Sequence, residues 1–336
     1  NRDILDYQLT LSPDEVLRLV DHIWDLRERY LHYYYFDENC SFLLLGLLEV
    51  ARPSLQLTDK FPISVIPVET VRVALREQDL LRKAVYRPSA ASKLRHRISF
   101  TDSDEQRLGY EVAIGEREIT DAEVFSREKA SQARVLELAY DYLTYLTTGK
   151  DRDEEIAARK LGLLRARSEL SISADRMLRE VPAPRVRPDE GHGTTRIGVG
   201  GGVRYDDLFY ELRWRPAYHD LLDPLAGFES GAEIQFLNTR LRQYRQNRVR
   251  LEELGVLDIA ALTPHTRFFK KTSWTFSTGF ARKQFSSQKE HLIYRNEFQA
   301  GKRLQLSEEL SFFGLGALSQ ETSTRFDDGY TAGFGG

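Results

Sequence analysis

Apolar residues recur at Val16, Leu19, Val20, Ile23, Leu26 and Tyr30, three or four positions apart, the spacing of one helical face. Ser12 can cap this helix, Pro13 suits its first position, and Glu15 completes a capping box. The pattern predicts an amphipathic helix of about five turns. Tyr33 to Phe36 favours a short extended piece. Cys40 to Ala51 is apolar on every side, which suits a helix in a domain interior, and Pro53 ends it. Pro67 opens another helix through Val68, Val71 and Leu75, and Leu80 to Tyr86 is a candidate strand. Residues 1–95 therefore read as an α+β domain.

Residues 96–180 are charged and helical. Ser126 to Thr147 carries Ala130, Ala133, Leu136, Tyr140, Leu143 and Leu146 on one stripe, Gly149 is a stop signal, and Asp151 to Leu178 repeats the arrangement. This predicts a helical hairpin. Residues 181–190, with Val181-Pro-Ala-Pro-Arg-Val-Arg-Pro188, form a linker. Beyond it the period becomes two, and seventeen of the 22 glycines lie from Gly191 onward, so the architecture changes. Leu208, Tyr210, Leu212 and Trp214 alternate with Phe209, Glu211, Arg213 and Arg215. Trp274, Phe276 and Phe280 alternate with small polar residues in the same way. Strands of about ten residues with one aromatic and aliphatic face match those of a transmembrane barrel. A soluble antiparallel sandwich is the rival, although its strands are usually shorter. The expectation for 191–336 is an all-β antiparallel barrel, transmembrane and incomplete, because only six to eight candidate strands precede Gly336.

Composition adds limits. With 336 residues, 41% of them hydrophobic, the chain has ample core material for two or three domains. A net charge of -3 gives no global attraction to nucleic acid, and none is expected as a partner. The single cysteine excludes an intrachain disulfide. No apolar run approaches the ~20 residues of a membrane-spanning helix. The chain opens on Asn1 and stops in a glycine-aromatic pattern, so both ends read as cut.

That cysteine, Cys40, stands where a Tyr/Phe run meets the apolar helix. If Asn39 or Asp37 caps the helix, the sulfur lies in its first turn, where free N–H groups and the macrodipole favour an anion. The plainer reading is packing, since a free cysteine is among the most buried residue types. His22, His32 and His96 read as surface or packing residues. No histidine pair shows metal-ligand spacing, and neither a metal nor a cofactor is expected. His219, Asp220 and Asp223 fall in a Pro-bounded loop that reads as a solvated turn in preference to a cation site. Alternation along two adjoining strands places several of Arg240, Arg242, Arg245, Arg248 and Arg250 in a wet barrel lumen, paired with Glu233, Glu252 or Glu253, in preference to a phosphate or headgroup site.

Asn1 to Leu9, Tyr33-Tyr-Tyr-Phe-Asp-Glu-Asn-Cys-Ser41, Leu47 to Pro53, Ile66 to Arg72 and Tyr86 to Ser89 together resemble the bacterial family typified by the periplasmic domain of the Lnb lipoprotein N-acyltransferase. Gly191-His-Gly193, Arg215 to Pro224 and Lys271 to Trp274 resemble the C-terminal region that accompanies this domain in many proteobacterial members. Asn39-Cys40 before an apolar helix is also similar to the circularly permuted branch of NlpC-type papain-like enzymes. The resemblance implies a papain-like thiol domain that is N-terminally truncated here, because the family's Gly-His element, whose histidine is the base, falls upstream of Asn1. It implies a thiol-dependent acyltransferase. By this resemblance Cys40 is expected to take an acyl group from a phospholipid as a thioester and pass it to a lipoprotein amine, with the Cys40 N–H and a neighbouring amide or Asn39 holding the oxyanion. The expected location is the envelope of a Gram-negative cell, the thiol domain facing the periplasm and the C-terminal domain in the outer membrane. A cysteine peptidase or peptidoglycan amidase uses the same nucleophile. A non-catalytic outer-membrane barrel protein is the alternative from another class.

Overall fold

In the computed structural model the described residues are 2–62, 64–151, 153–173, 180–245, 248–285, 290–307, 310–323 and 326–335. Asn1, the part of the second predicted helix over 174–179, and Gly336 lie outside them. The described chain divides into two compact units, residues 1–10 with 79–184, and residues 11–78 with 185–336. The sequence reading instead ran one domain through 1–95.

The first unit pairs β1 (Ile4–Leu9) with β2 (Leu81–Arg87) antiparallel, Ile4 opposite Arg87. Five helices follow: α4 (Ala90–Ile98), α5 (Ser103–Ile114), α6 (Ala122–Phe125), α7 (Lys129–Thr147) and α8 (Glu154–Glu169). Leu94, Leu108, Val112, Val135, Leu136, Leu138 and Leu163 fill their core. The predicted hairpin is α7 and α8, with Gly149 between them at φ 76°, a left-handed conformation that glycine adopts without a steric penalty. Glu105, buried at the start of α5, is bound by Arg134 and Ser131 of α7, so a charge in this core is paired and hydrogen-bonded.

The second unit joins three helices, α1 (Pro13–Leu26), α2 (Cys40–Ala51) and α3 (Pro67–Arg76), to a nine-stranded antiparallel sheet. Ser12 and Glu15 form the capping box expected of α1. The strands are β3 (Arg196–Arg204), β4 (Asp207–Arg215), β5 (Ala217–His219), β6 (Ala232–Tyr244), β7 (Val249–Ala261), β8 (Ser273–Gln284), β9 (Glu290–Gln305), β10 (Ser311–Ser323) and β11 (Phe326–Gly335). Their order is β11-β10-β9-β8-β7-β6-β4-β3, with the short β5 beside β6.

Two expectations are corrected here. The sheet is not a closed barrel: among the described residues β3 pairs only with β4 and β11 only with β10, so consecutive hairpins build an open sheet with two edges. The outer-membrane location, expected from the length and aromatic faces of these strands, is corrected with it. Nor does a helix of the described residues have the length and apolarity to cross a membrane. The papain-like domain is the second correction. Residues 1–95 supply two strands, and these pair with each other in the first unit, whereas the helix bearing Cys40 belongs to the second.

Burial along β4 also differs from a sheet whose apolar face covers a core. Glu211 and Arg215 are buried, while Tyr210, Leu212 and Trp214 are exposed. The buried charge of Glu211 is satisfied by Arg213 of its own strand and by Arg242 of β6. Of the predicted arginine cluster, Arg240 pairs with Glu253 at 2.9 Å, and Arg250 lies 3.6 Å from Glu290.

Candidate functional site

Cys40 is the first residue of α2 and is exposed. The helix starts there because Asn39 caps it: its Oδ1 accepts from the N–H groups of Ser41 (3.1 Å) and Phe42 (3.2 Å) and from the Ser41 hydroxyl (2.6 Å). The Asn39 amide faces the other way and donates to the carbonyls of Val65 (2.8 Å) and Tyr35 (3.2 Å). Val65 in turn donates its N–H to Phe36 O at 2.8 Å. Asn39, 2% exposed, therefore bolts the loop before the thiol to the segment before α3. The rings of Tyr35 and Phe36 reach Phe236 of β6, at 6.0 and 5.2 Å between centroids. The Cys40 N–H, at the first helical position, has no intrahelical acceptor.

The apolar length of α2 does not sink it into a core. Leu45 and Ala51 are its buried residues, and Leu44 is exposed. Its far end is held by α1, where Arg52 binds Glu15 (2.7 Å) and Arg18 donates to the Ala51 carbonyl (2.7 Å). The Arg52 guanidinium, with the Ser12 N–H, holds the Glu15 carboxyl down at about 2.

A second cluster forms around the loops flanking β3 to β5. α3 grips the first loop: buried Arg72 donates to the carbonyls of Asp189 (2.9 Å), Pro188 (3.2 Å), Gly191 (3.1 Å) and His192 (2.8 Å), and pairs with Glu69. Glu69 also accepts from the Thr194 N–H at 3.2 Å. Gly191 lies so close to Ala226 O and the Phe228 ring that a Cβ would fall within 2.9 Å of both. His192 thereby comes to stack on Phe228, with centroids 4.4 Å apart, and His219 stacks on it too at 4.1 Å.

His192 Nε2 lies 2.8 Å from His219 Nδ1, and Asp223 Oδ2 lies 3.8 and 3.9 Å from these two nitrogens. The other ring nitrogen of His192, Nδ1, is 2.7 Å from the Gly193 carbonyl, so it carries the proton and leaves Nε2 a lone pair. His219 is 2% exposed, and its Nε2 has no hydrogen-bond partner among the described residues. Burial, followed by the neighbouring His192, pushes the His219 imidazole down from its ordinary value. Arg215 binds Asp220 (2.8 Å) and Asp223 (2.6 Å), and Arg196 reaches both carboxylates from the exposed side.

Of the residues read from sequence, Cys40 and Asn39 sit together as the spacing implied. His219 ends β5 and Asp220 and Asp223 lie in the loop after it, and this is no mere solvated turn, because His192 closes over it. His192 was visible only inside Gly191-His-Gly193. Arg72 was missed, and its sole local signal is Glu69 three residues earlier on the same helix.

Residues 1–77 match the family described as the Lnb N-terminal periplasmic domain. Residues 84–177 and 185–336 match two domains of unknown function, DUF7842 and DUF7840 respectively. No curated protein and no solved structure matches the chain.

Proposed function

We propose, from the match of residues 1–77 to the Lnb-type periplasmic domain, that this protein is a thiol-dependent acyl-transfer enzyme working in the periplasm. The observation that carries the reading is the exposed Cys40 at the first position of a helix whose cap, Asn39, is buried and fully hydrogen-bonded. The sulfur gives its proton to a general base and attacks the ester carbonyl of a phospholipid. A C–S bond forms, the ester C–O bond breaks, and the lysophospholipid leaves with a proton. A lipoprotein amine then attacks the thioester, the C–N bond forms, and the thiolate departs. The Cys40 N–H and the positive end of α2 face the charge that develops on the carbonyl oxygen. Asn39 acts as a positioning residue, since its amide hydrogens are committed to Tyr35 O and Val65 O.

The test is mass spectrometry of the full-length protein after incubation with phospholipid vesicles. A fatty-acyl adduct on the peptide containing Cys40 is expected, removed by hydroxylamine and absent from Cys40→Ser. An unmodified peptide whose thiol still reacts with a maleimide would remove the phospholipid donor and move the reading to amide hydrolysis by the same nucleophile.

A further inference from the structure

We infer that His192 Nε2, His219 Nδ1 and Asp223 Oδ2 form a three-ligand site for a borderline divalent cation of the zinc class. These atoms converge from the loop before β3, from the last residue of β5 and from the loop that follows it. Two imidazoles and one carboxylate are a donor set suited to Zn²⁺ and its neighbours in the first transition row, while Mg²⁺ and Ca²⁺ take oxygen donors.

Their separations, 2.8, 3.8 and 3.9 Å, bracket the roughly 3.3 Å between ligands in a tetrahedron with metal bonds of about 2.0–2.1 Å. Closing on a cation therefore takes shifts of about half an ångström. The two rings part slightly, and the carboxylate moves in.

The surroundings of His192 favour this use. Its Nδ1–H is held by the Gly193 carbonyl, the outer hydrogen bond that metal-bound histidines ordinarily make, and this points the Nε2 lone pair at the site. Its own carbonyl is tied by Arg72, so the loop is anchored before any cation arrives. His219 is buried and stacked on Phe228, which fixes its ring at the site. Three protein ligands leave a fourth position for water or a small ligand.

The facing charges set the strength of the site. Arg215 shares Asp223 Oδ2 and Arg196 touches Oδ1, so the cation competes with two guanidiniums for one carboxylate. Asp220 remains as partner to both and offsets that competition. Without the cation, His219 Nδ1–H donates to His192 Nε2, and ligation moves that proton to His219 Nε2, which has no other partner among the described residues.

The experiment uses the full-length protein, stripped with chelator, then dialysed against micromolar Zn²⁺ and assayed by elemental analysis. Co²⁺ replaces Zn²⁺ for absorption spectroscopy. One equivalent of zinc is expected, with the intense visible bands of low-coordinate Co²⁺. His192→Ala and Asp223→Asn should each weaken binding by more than about 100-fold, since outer-shell changes alone cost 10- to 100-fold. His32→Ala serves as the control and should bind as the unaltered chain does. His192→Ala removes a part-exposed ring, and a circular dichroism melt of each stripped variant shows that it folds. Sub-stoichiometric zinc in the unaltered chain, or one equivalent retained by folded His192→Ala and Asp223→Asn, would overturn the site. Neither result bears on Cys40 chemistry, which has its own readout.

Discussion

Asn39 concentrates several jobs in one side chain. Replacing it with Ala removes the cap of α2 and leaves the carbonyls of Tyr35 and Val65 without their donor. A loss of about 2–3 kcal/mol is expected in urea unfolding, from the cap and the buried amide together. Asn39→Asp keeps an acceptor for the cap but sets a carboxylate against two carbonyls, so it should be no better than Ala. Asp258 of β7 behaves in the opposite sense. Burial, then the nearby Glu233 and Glu253, raises its carboxyl to about 6. The folded chain holds a proton there that the unfolded chain releases, so stability falls as pH rises from about 4 to about 6 and the full cost persists above that. Asp258→Asn should raise stability at pH 7.5 by about 1–2 kcal/mol after allowance for solvent screening, and the gain should vanish below about pH 4. Thermal melts across that range read both limbs.

Among the elements, α3 does most to place others. Its buried face contains Thr70, Arg72 and Ala74, and Arg72 alone binds four carbonyls of the loop before β3. Arg72→Ala should cost roughly 3–5 kcal/mol, because Glu69 loses its buried partner and the loop carbonyls lose their donor. Arg72→Lys should recover less than half of that, since a single ammonium cannot span a fan of acceptors. Chemical denaturation distinguishes the two. The same bonds make α3 the support of His192, so Arg72→Ala should also weaken retention of zinc.

At the scale of the whole molecule, each unit is assembled from two stretches of chain that alternate along the sequence. A protease site introduced between Pro182 and Arg185, where the chain is exposed and irregular, should therefore cut without separating the products. Residues 11–78 remain attached to 185–336 through Arg72 and through the Phe36–Phe236 ring pair. The nicked protein should elute as one species in size exclusion, and Arg72→Ala should promote its dissociation. Separation of the nicked, otherwise unaltered chain would show that these contacts do not hold the unit together.

What was legible in the sequence was what neighbours within a few residues decide. The capping box at Ser12, the start of α2 at Cys40, the α7–α8 hairpin and the period of two from Arg196 onward all follow from spacings of two to four residues. Tertiary structure alone decided the matters that depend on distant partners. β1 forms because residues 81–87 pair with it across a long separation. Alternation in β4 marked an apolar face and a charged face, and the partners that hold the charged one, Arg242 of β6 on Glu211 and Asp220 of the loop after β5 on Arg215, come from distant or separate segments. Periodicity also does not say whether the first and last strands meet, and among the described residues β3 and β11 do not pair. The meeting of His192 with His219 and Asp223 belongs to the same class. It requires the anchored loop before β3 to close over the loop after β5, and no short-range pattern encodes an encounter between two loops.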